Sequence, residues 1–201
     1  MSIRCWIELQ AQMGISPCVV NGILMETGFP VACEVDTGSA VMMRILGAAS
    51  NSPTAILDWN NNYEEEDDKC VLFHCGNAPE SMMAAKGRIT DHEILANSVG
   101  HGKGFGCNQG RMAPGYFSYG NLTTEDGRVK TYLGNGEFVD DPLPENYFGV
   151  AGVAEIPQLQ DVLQHIGFEG HRHHVALTPG DVRAAVSEAL SRYLDFDVTT
   201  Y

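Results

Sequence analysis

Positive charge is scarce in this chain. Lys and Arg together number 12 against 26 Asp and Glu, a formal net charge of −14. Nucleic-acid phosphates are gripped by clustered Lys and Arg, so DNA and RNA are excluded as partners. Long apolar runs are missing too: none approaches the roughly 20 residues needed to span a bilayer. The opening MSIRCWIELQAQ reads as an amphipathic helix rather than the charged start and apolar core of a secretion signal. These absences predict a cytoplasmic protein whose six cysteines (Cys5, Cys18, Cys33, Cys70, Cys75, Cys107) stay reduced.

Familiar site signatures are also lacking. Cys70 and Cys75 have poor zinc-finger spacing and no second close pair to complete them. The acidic run at 64–68 lacks the Asp-x-Asp-x-Asp-Gly spacing of a calcium loop, which predicts a solvated loop. Gly100, Gly102, Gly104, Gly106 and Gly110 have neither a Walker ending nor Rossmann spacing, and are expected to form a mobile loop. Asn121-Leu-Thr123 fits a glycosylation sequon, which has no meaning in a cytoplasmic chain. No internal repeat is evident.

What is present is ordinary globular composition, 44% hydrophobic and 19% charged over 201 residues, enough for one domain or one and a half. Apolar Ile3, Trp6, Ile7 and Leu9 predict a helix over 3–13 with Ser2 as N-cap, and a second helix over 18–27 stops at Gly28 and Pro30. A strand over 31–35 delivers Glu34, a helix spans 39–49, and a strand over 55–57 delivers Asp58. That α-β-α-β rhythm predicts a parallel sheet with ligands beyond the carboxyl ends of its strands. From 69 to 141 the pattern becomes short strands (70–75, 116–122, 129–133) and turns, Asp126-Gly127 marking a hairpin, as in an antiparallel barrel or sandwich. The tail returns to helix 157–165, strand 173–177, helix 179–193 and a last strand near 196–199.

Chemistry concentrates in four segments: CEVD (Glu34, Asp36), ILDWNNNY (Asp58), LFHCGN (His74) and GHRHHVAL (His171, His173, His174). Carboxylates and imidazoles that each follow an apolar run make the ligand set of a divalent-metal site, suited to Mn²⁺, Mg²⁺ or Zn²⁺. His92, His101 and His165 read as ordinary core or surface imidazoles. A rival reading takes Asp36-Thr37-Gly38 as one half of an aspartic-protease dyad completed by a homodimer. Against it, the chain has no second Asp-Thr-Gly, Glu34 adds a carboxylate beside it, and residues 39–49 read as helix where that fold continues in strand.

At these segments the chain resembles the C-terminal part of the L-fucose isomerase family, with L-arabinose isomerase more distant. The carrying residues are Ala32-Cys33-Glu34-Val35-Asp36, Leu57-Asp58 and His173-His174-Val175-Ala176, with the glycine-rich stretch leading to Pro114-Gly115. The resemblance implies the latter half of a Mn²⁺-dependent (or other divalent-cation) aldose–ketose isomerase working through an ene-diol. Residues 1–68 would end an α/β middle domain with a partial parallel layer. Residues 69–201 would form an antiparallel β-barrel-like domain with flanking helices. It further implies Glu34 and Asp58 as catalytic acid/base residues and metal ligands, with His174 and, through the arabinose enzyme, His74 completing the ligands. Because alternate strand residues face opposite ways, one of His173 and His174 is expected at the metal, and His173 is expected to contact substrate. Trp6, Trp59, Asn60, Asn61 and Asn62 are the remaining candidates to hold the sugar, Trp59 by stacking and the asparagines by hydrogen bonds, or else as a simple turn. A homo-oligomer is expected, and a sugar- or metal-binding fragment without turnover is the alternative.

Overall fold

The computed structural model describes residues 1–145 and 147–201, with the side chains at 61, 93 and 95 outside that description. Chain order is α1 (Gln10–Met13), α2 (Cys18–Glu26), α3 (Thr37–Ser50), β1 (Ala55–Tyr63), β2 (Glu66–His74), β3 (Arg88–Asp91), α4 (Glu93–Val99), β4 (Phe105–Arg111), β5 (Gly115–Glu125), β6 (Arg128–Val139), β7 (Val150–Glu155), α5 (Leu159–Phe168), β8 (His174–Pro179), α6 (Arg183–Leu194) and β9 (Asp197–Thr200). The fold is mixed α/β around a mostly antiparallel sheet ordered β3-β4-β7-β2-β1-β8-β5-β6-β9. Strand β6 also pairs with β7, so the six strands from β7 through β6 close on themselves. No described helix is long and apolar enough to cross a membrane.

The ring sorts side chains onto two faces by strand alternation. Leu57, Leu72, Phe117, Tyr119, Tyr132, Phe138, Val175 and Leu177 form one core, joined by Leu159, Val162 and Ile166 of α5. Ile56 and Ala176 belong to the other face, where Met42, Met43 and Leu46 of α3 and Val186 and Leu190 of α6 cover the sheet. Asp58 and His174 are register partners two residues along from Ile56 and Ala176, and so share the face under α3.

Several expectations need correction. No parallel layer forms around β1, which pairs antiparallel with both β2 and β8. The strand runs past Asp58 to Tyr63 and turns back at once through Glu64 (φ 52°), leaving no crossover to make a parallel neighbour. Parallel pairing is confined, among the described strands, to β4 with β7 and β6 with β9. The acidic run at 64–68 is exposed as expected, but it forms a hairpin turn and the start of β2 rather than a loop.

The strand expected over 31–35 is a single parallel bridge, Ser2 with Ala32, followed by Glu34 and Val35 at φ 58° and 60°. Ser2 is thereby extended rather than a cap, and Trp6 sits at φ −93°, ψ 125°, so regular helix begins only at Gln10. Gly100, Gly102 and Gly104 lie in or beside a turn, whereas Gly106 and Gly110 lie in β4, and a Cβ at Gly106 would strike the Ser16 carbonyl. Helices α2, α3, α5 and α6, and the Asp126-Gly127 hairpin between β5 and β6, fall close to expectation.

One close approach bears on the site. Gly149 has φ +68°, and a Cβ there would collide with the His74 carbonyl oxygen. Gly149→Ala combines left-handed strain with overpacking, and is expected to cost about 3 kcal/mol. Urea unfolding of the variant against the parent measures it.

Candidate metal centre

The site is built around His174. Asp36 ends the turn after Cys33 and caps α3, its Oδ1 accepting from the Ser39 amide at 3.0 Å and its Oδ2 from the Ser39 hydroxyl at 2.6 Å. The same Oδ2 lies 2.8 Å from His174 Nδ1. Asn121 donates to the Ser39 hydroxyl at 2.9 Å and to the His174 carbonyl at 2.7 Å, closing a buried ring of polar contacts. With Nδ1 held by a carboxylate, the imidazole presents Nε2, the arrangement that second-shell carboxylates impose on metal-binding histidines. Gly38 fits beneath this network because a Cβ would press on the Leu122 carbonyl at 2.8 Å.

His174 Nε2 stands 3.4 Å from Asp58 Oδ1, too long for a good hydrogen bond. His74 enters from the end of β2, its Nδ1 3.1 Å from Cys75 Sγ. Ligand atoms of Asp58, His74 and His174 all lie within 4.8 Å of one another, as do those of Glu34, His173 and His174. Asp58 Oδ1, His74 Nε2 and His174 Nε2 are buried without hydrogen-bond partners. Buried polar atoms are rarely left unpaired, and three converging on one point with oxygen and imidazole chemistry fit a divalent cation.

Electrostatics agree with that geometry. Burial pushes the Asp58 carboxyl up to about 7, with Glu34 adding to the effect and His174 opposing it. Burial, then His174 and His173, pushes the His74 imidazole well below its ordinary range. Burial works to lower His174, but the Asp36 hydrogen bond and the Asp58 and Glu34 charges outweigh it and raise it. Burial likewise opposes ionisation of Asp36, yet bonds from His174 and Ser39 bring it down to about 2. A buried carboxylate driven toward neutrality beside a neutral imidazole is a site short of positive charge.

The expected residues are brought together unevenly. Glu34, Asp58, His74 and His174 converge. His173 does too, its Nε2 3.7 Å from both Glu34 and Asp58, because β8 starts only at His174 and strand alternation does not reach His173. Trp59 is on the other face of β1: its ring packs edge-on against Tyr119 at 5.4 Å and its indole donates to Tyr132 Oη at 3.0 Å, so the expected stacking surface is turned into the ring of strands. Trp6 and Asn60 are exposed, with no described contact to the cluster, and the Asn61 side chain lies outside the described residues. Asp36, Ser39, Asn121 and Cys75 were not foreseen as supports. The signal for Asp36 was there, since an Asp immediately before a helical run is a helix N-cap pattern.

Comparison with known proteins completes the site's context. Residues 72–201 match a family described as L-fucose isomerase, C-terminal domain. Sulfoquinovose isomerases of Priestia aryabhattai and Priestia megaterium are each 26% identical over 203 residues, covering 100% of this chain and 44% of theirs. That of Alkalicoccus urumqiensis is 26% identical over 189 residues, covering 94% and 41%. The chain thus spans less than half the length of these relatives. Because the family match over residues 72–201 takes in well over half of the chain, the chain belongs to the L-fucose isomerase C-terminal domain family.

Proposed function

We propose that this chain supplies the metal-holding, proton-transferring part of an aldose–ketose isomerase acting on an open-chain sugar. The observation that carries the reading is the convergence of three unpaired buried ligand atoms, from Asp58, His74 and His174, beside the exposed Glu34. Asp58, His74 and His174 would hold a divalent cation, Mn²⁺ in the first instance. When bound, such an ion supplies Lewis acidity toward a sugar carbonyl and its adjacent hydroxyl.

The protein's own groups divide the remaining work. Glu34 sits on a left-handed turn with its carboxylate open to solvent, and acts as base toward the carbon-bound proton, returning it to the neighbouring carbon. Asp58, more deeply placed and pushed to about 7, handles the oxygen-bound proton, as expected for two acids in unlike surroundings. His173 lies between the two carboxylates and hydrogen-bonds a substrate hydroxyl. Asp36 keeps the His174 tautomer fixed. We read the six-strand ring as the barrel-like domain of the family. The relatives' names bring sulfoquinovose into the substrate class, alongside the L-fucose and D-arabinose implied by the sequence resemblance. Exposed Trp6, Ile7, Met13, Ile15, Val20 and Ile23 support self-association, which extensive exposed apolar surface favours.

The test has two arms. Calorimetry of the chain with Mn²⁺ should show one equivalent bound, and absence of binding overturns the reading. The metal-loaded protein is then given L-fucose, D-arabinose or sulfoquinovose in D₂O. Ketose or aldose formed should carry deuterium at the carbon that gains a proton, and Glu34→Gln should abolish that label while the metal still binds. Product without deuterium would mean hydride shift, and would remove the base role from Glu34.

A further inference from the structure

Cysteines crowd around the candidate ligands. Cys33 immediately precedes Glu34 and Cys75 immediately follows His74, while Cys18 opens α2 and Cys107 lies within β4. Cys18 Sγ is 3.7 Å from Cys75 Sγ and 3.7 Å from Cys107 Sγ. Asn21 and Asn77 donate to Cys33 Sγ at 3.6 and 3.4 Å. Five of the six cysteines are buried, and Cys75 is half-buried. Cys75 is also the sulfur 3.1 Å from His74 Nδ1.

That contact gives Cys75 a place in the site. For His74 Nε2 to face a cation as a lone pair, Nδ1 must carry the proton, and Cys75 Sγ is then the acceptor that fixes the ring. It parallels Asp36 on His174, with a sulfur in place of a carboxylate. Unlike a carboxylate, a sulfur can be removed from its partner by oxidation.

We propose that Cys18 and Cys75 are a reversible dithiol–disulfide pair, closed by a peroxide, whose closure takes the acceptor away from His74 and loosens the metal centre. The coupling half of this rests on the metal reading above; the pairing half does not. In the first step Cys75 sulfur attacks one peroxide oxygen. An S–O bond forms, the O–O bond breaks, and one water leaves, giving a sulfenic acid. Cys18 sulfur then attacks Cys75 sulfur, the S–S bond forms, the S–O bond breaks, and a second water leaves. Two thiols lose two electrons and two protons, and one hydrogen peroxide becomes two waters. Bonding brings the sulfurs from 3.7 Å to about 2.05 Å. That movement of about 1.7 Å is large against a 3.1 Å contact, so the Nδ1–H would be left buried and unpaired.

Cys107 is equally near Cys18, but it is 1% exposed and touches no candidate ligand, so a Cys18–Cys107 bond would leave His74 undisturbed. Cys75 is the least buried of these residues, and its sulfur is the one that touches a candidate ligand, which singles out the pair.

The experiment takes the reduced, metal-free full chain through a hydrogen peroxide series. Free thiols are counted after denaturation, cross-links are mapped by peptide mass spectrometry, and Mn²⁺ affinity is measured before oxidation, after it, and after dithiothreitol. Expected are a fall of two from the six thiols, a Cys18–Cys75 cross-link, and Mn²⁺ affinity weaker by about tenfold or more, restored by reductant. Cys18→Ser should bind Mn²⁺ as the reduced parent does and keep that affinity through the same peroxide dose. Six thiols surviving the series, a Cys18–Cys107 or Cys33–Cys75 link in place of Cys18–Cys75, or a Cys18–Cys75 link with unchanged affinity would each overturn the proposal. A reduced chain that takes up no Mn²⁺ overturns the metal reading and the coupling, while the cross-link map still decides the pair.

Discussion

Asp58→Asn is expected to weaken Mn²⁺ binding by more than the roughly 100-fold at which second-shell losses top out, and to stabilise the metal-free chain. The two effects have one cause. Asp58 is a carboxylate held by burial at a place where charge is unwelcome, with an oxygen that lacks a partner. Its folded pKa, about 7, lies above the ordinary value of 3.8. For an acid raised in this way, the cost to the fold is absent below the unfolded pKa, grows as pH climbs between the two values, and is complete above 7. At about 1.4 kcal/mol per pKa unit the cost reaches at most about 4 kcal/mol, reduced by screening at a side chain 23% exposed. In chelator, the parent should therefore lose stability between pH 4 and 7 relative to Asp58→Asn. Urea unfolding of both proteins at pH 5 and pH 8 measures this. A variant less stable than the parent at pH 8, or one that keeps its metal affinity, would contradict the assignment.

Asp36→Ala should be the most damaging change at the site, at about 3 kcal/mol or more, because it removes a helix cap and strips a buried imidazole of its carboxylate. Here the sign runs the other way. Asp36 is depressed from 3.8 to about 2, so its ionised form stabilises the fold above the unfolded pKa and that contribution is lost as pH falls through 2. The shift corresponds to about 2 kcal/mol. Asp36→Asn keeps an oxygen for the Ser39 amide but gives up the charge on His174, and should lower Mn²⁺ affinity about 10- to 100-fold with a smaller stability loss. Ser39→Ala is the control: it removes the hydroxyl bond to Asp36 Oδ2 and the acceptor of Asn121 but leaves the amide cap and the Asp36–His174 contact in place, so stability should fall while metal affinity holds. Equal affinity losses in Asp36→Asn and Ser39→Ala would reduce Asp36 to a structural cap.

The sequence revealed the candidate ligands better than it revealed the sheet around them. Glu34, Asp58, His74 and His174 each end or follow an apolar stretch, and that local signal survives into the structure as two groups that share His174. The direction of β1 was misread because Asp58-Trp59-Asn60 resembles the end of a strand, whereas the strand continues to Tyr63 through a bulge. Pairing partners of β1 are set by contacts with β8, more than a hundred residues away, which no local pattern encodes. Trp59 was misplaced for the same reason: once β1 is a continuous strand, its neighbour in sequence must face the opposite side from Asp58. The Asp-Thr-Gly segment invited a protease reading because its residue types are right. Its role follows from a helix N-terminus and a distant imidazole.

That distance has a kinetic side. Asp36 and His174 are 138 residues apart in sequence, and β1 must wait for β8 before its second edge is covered. Closing so long a loop costs only slightly more entropy than closing a short one, yet pairings of this kind come late and slow the search. On a ribosome, the segments carrying Asp36, Asp58 and His74 would emerge and collapse before the imidazole that completes them exists. Until then β1 presents an unpaired edge, and its apolar residues Ile56 and Leu57 are exposed to whatever strand is nearest.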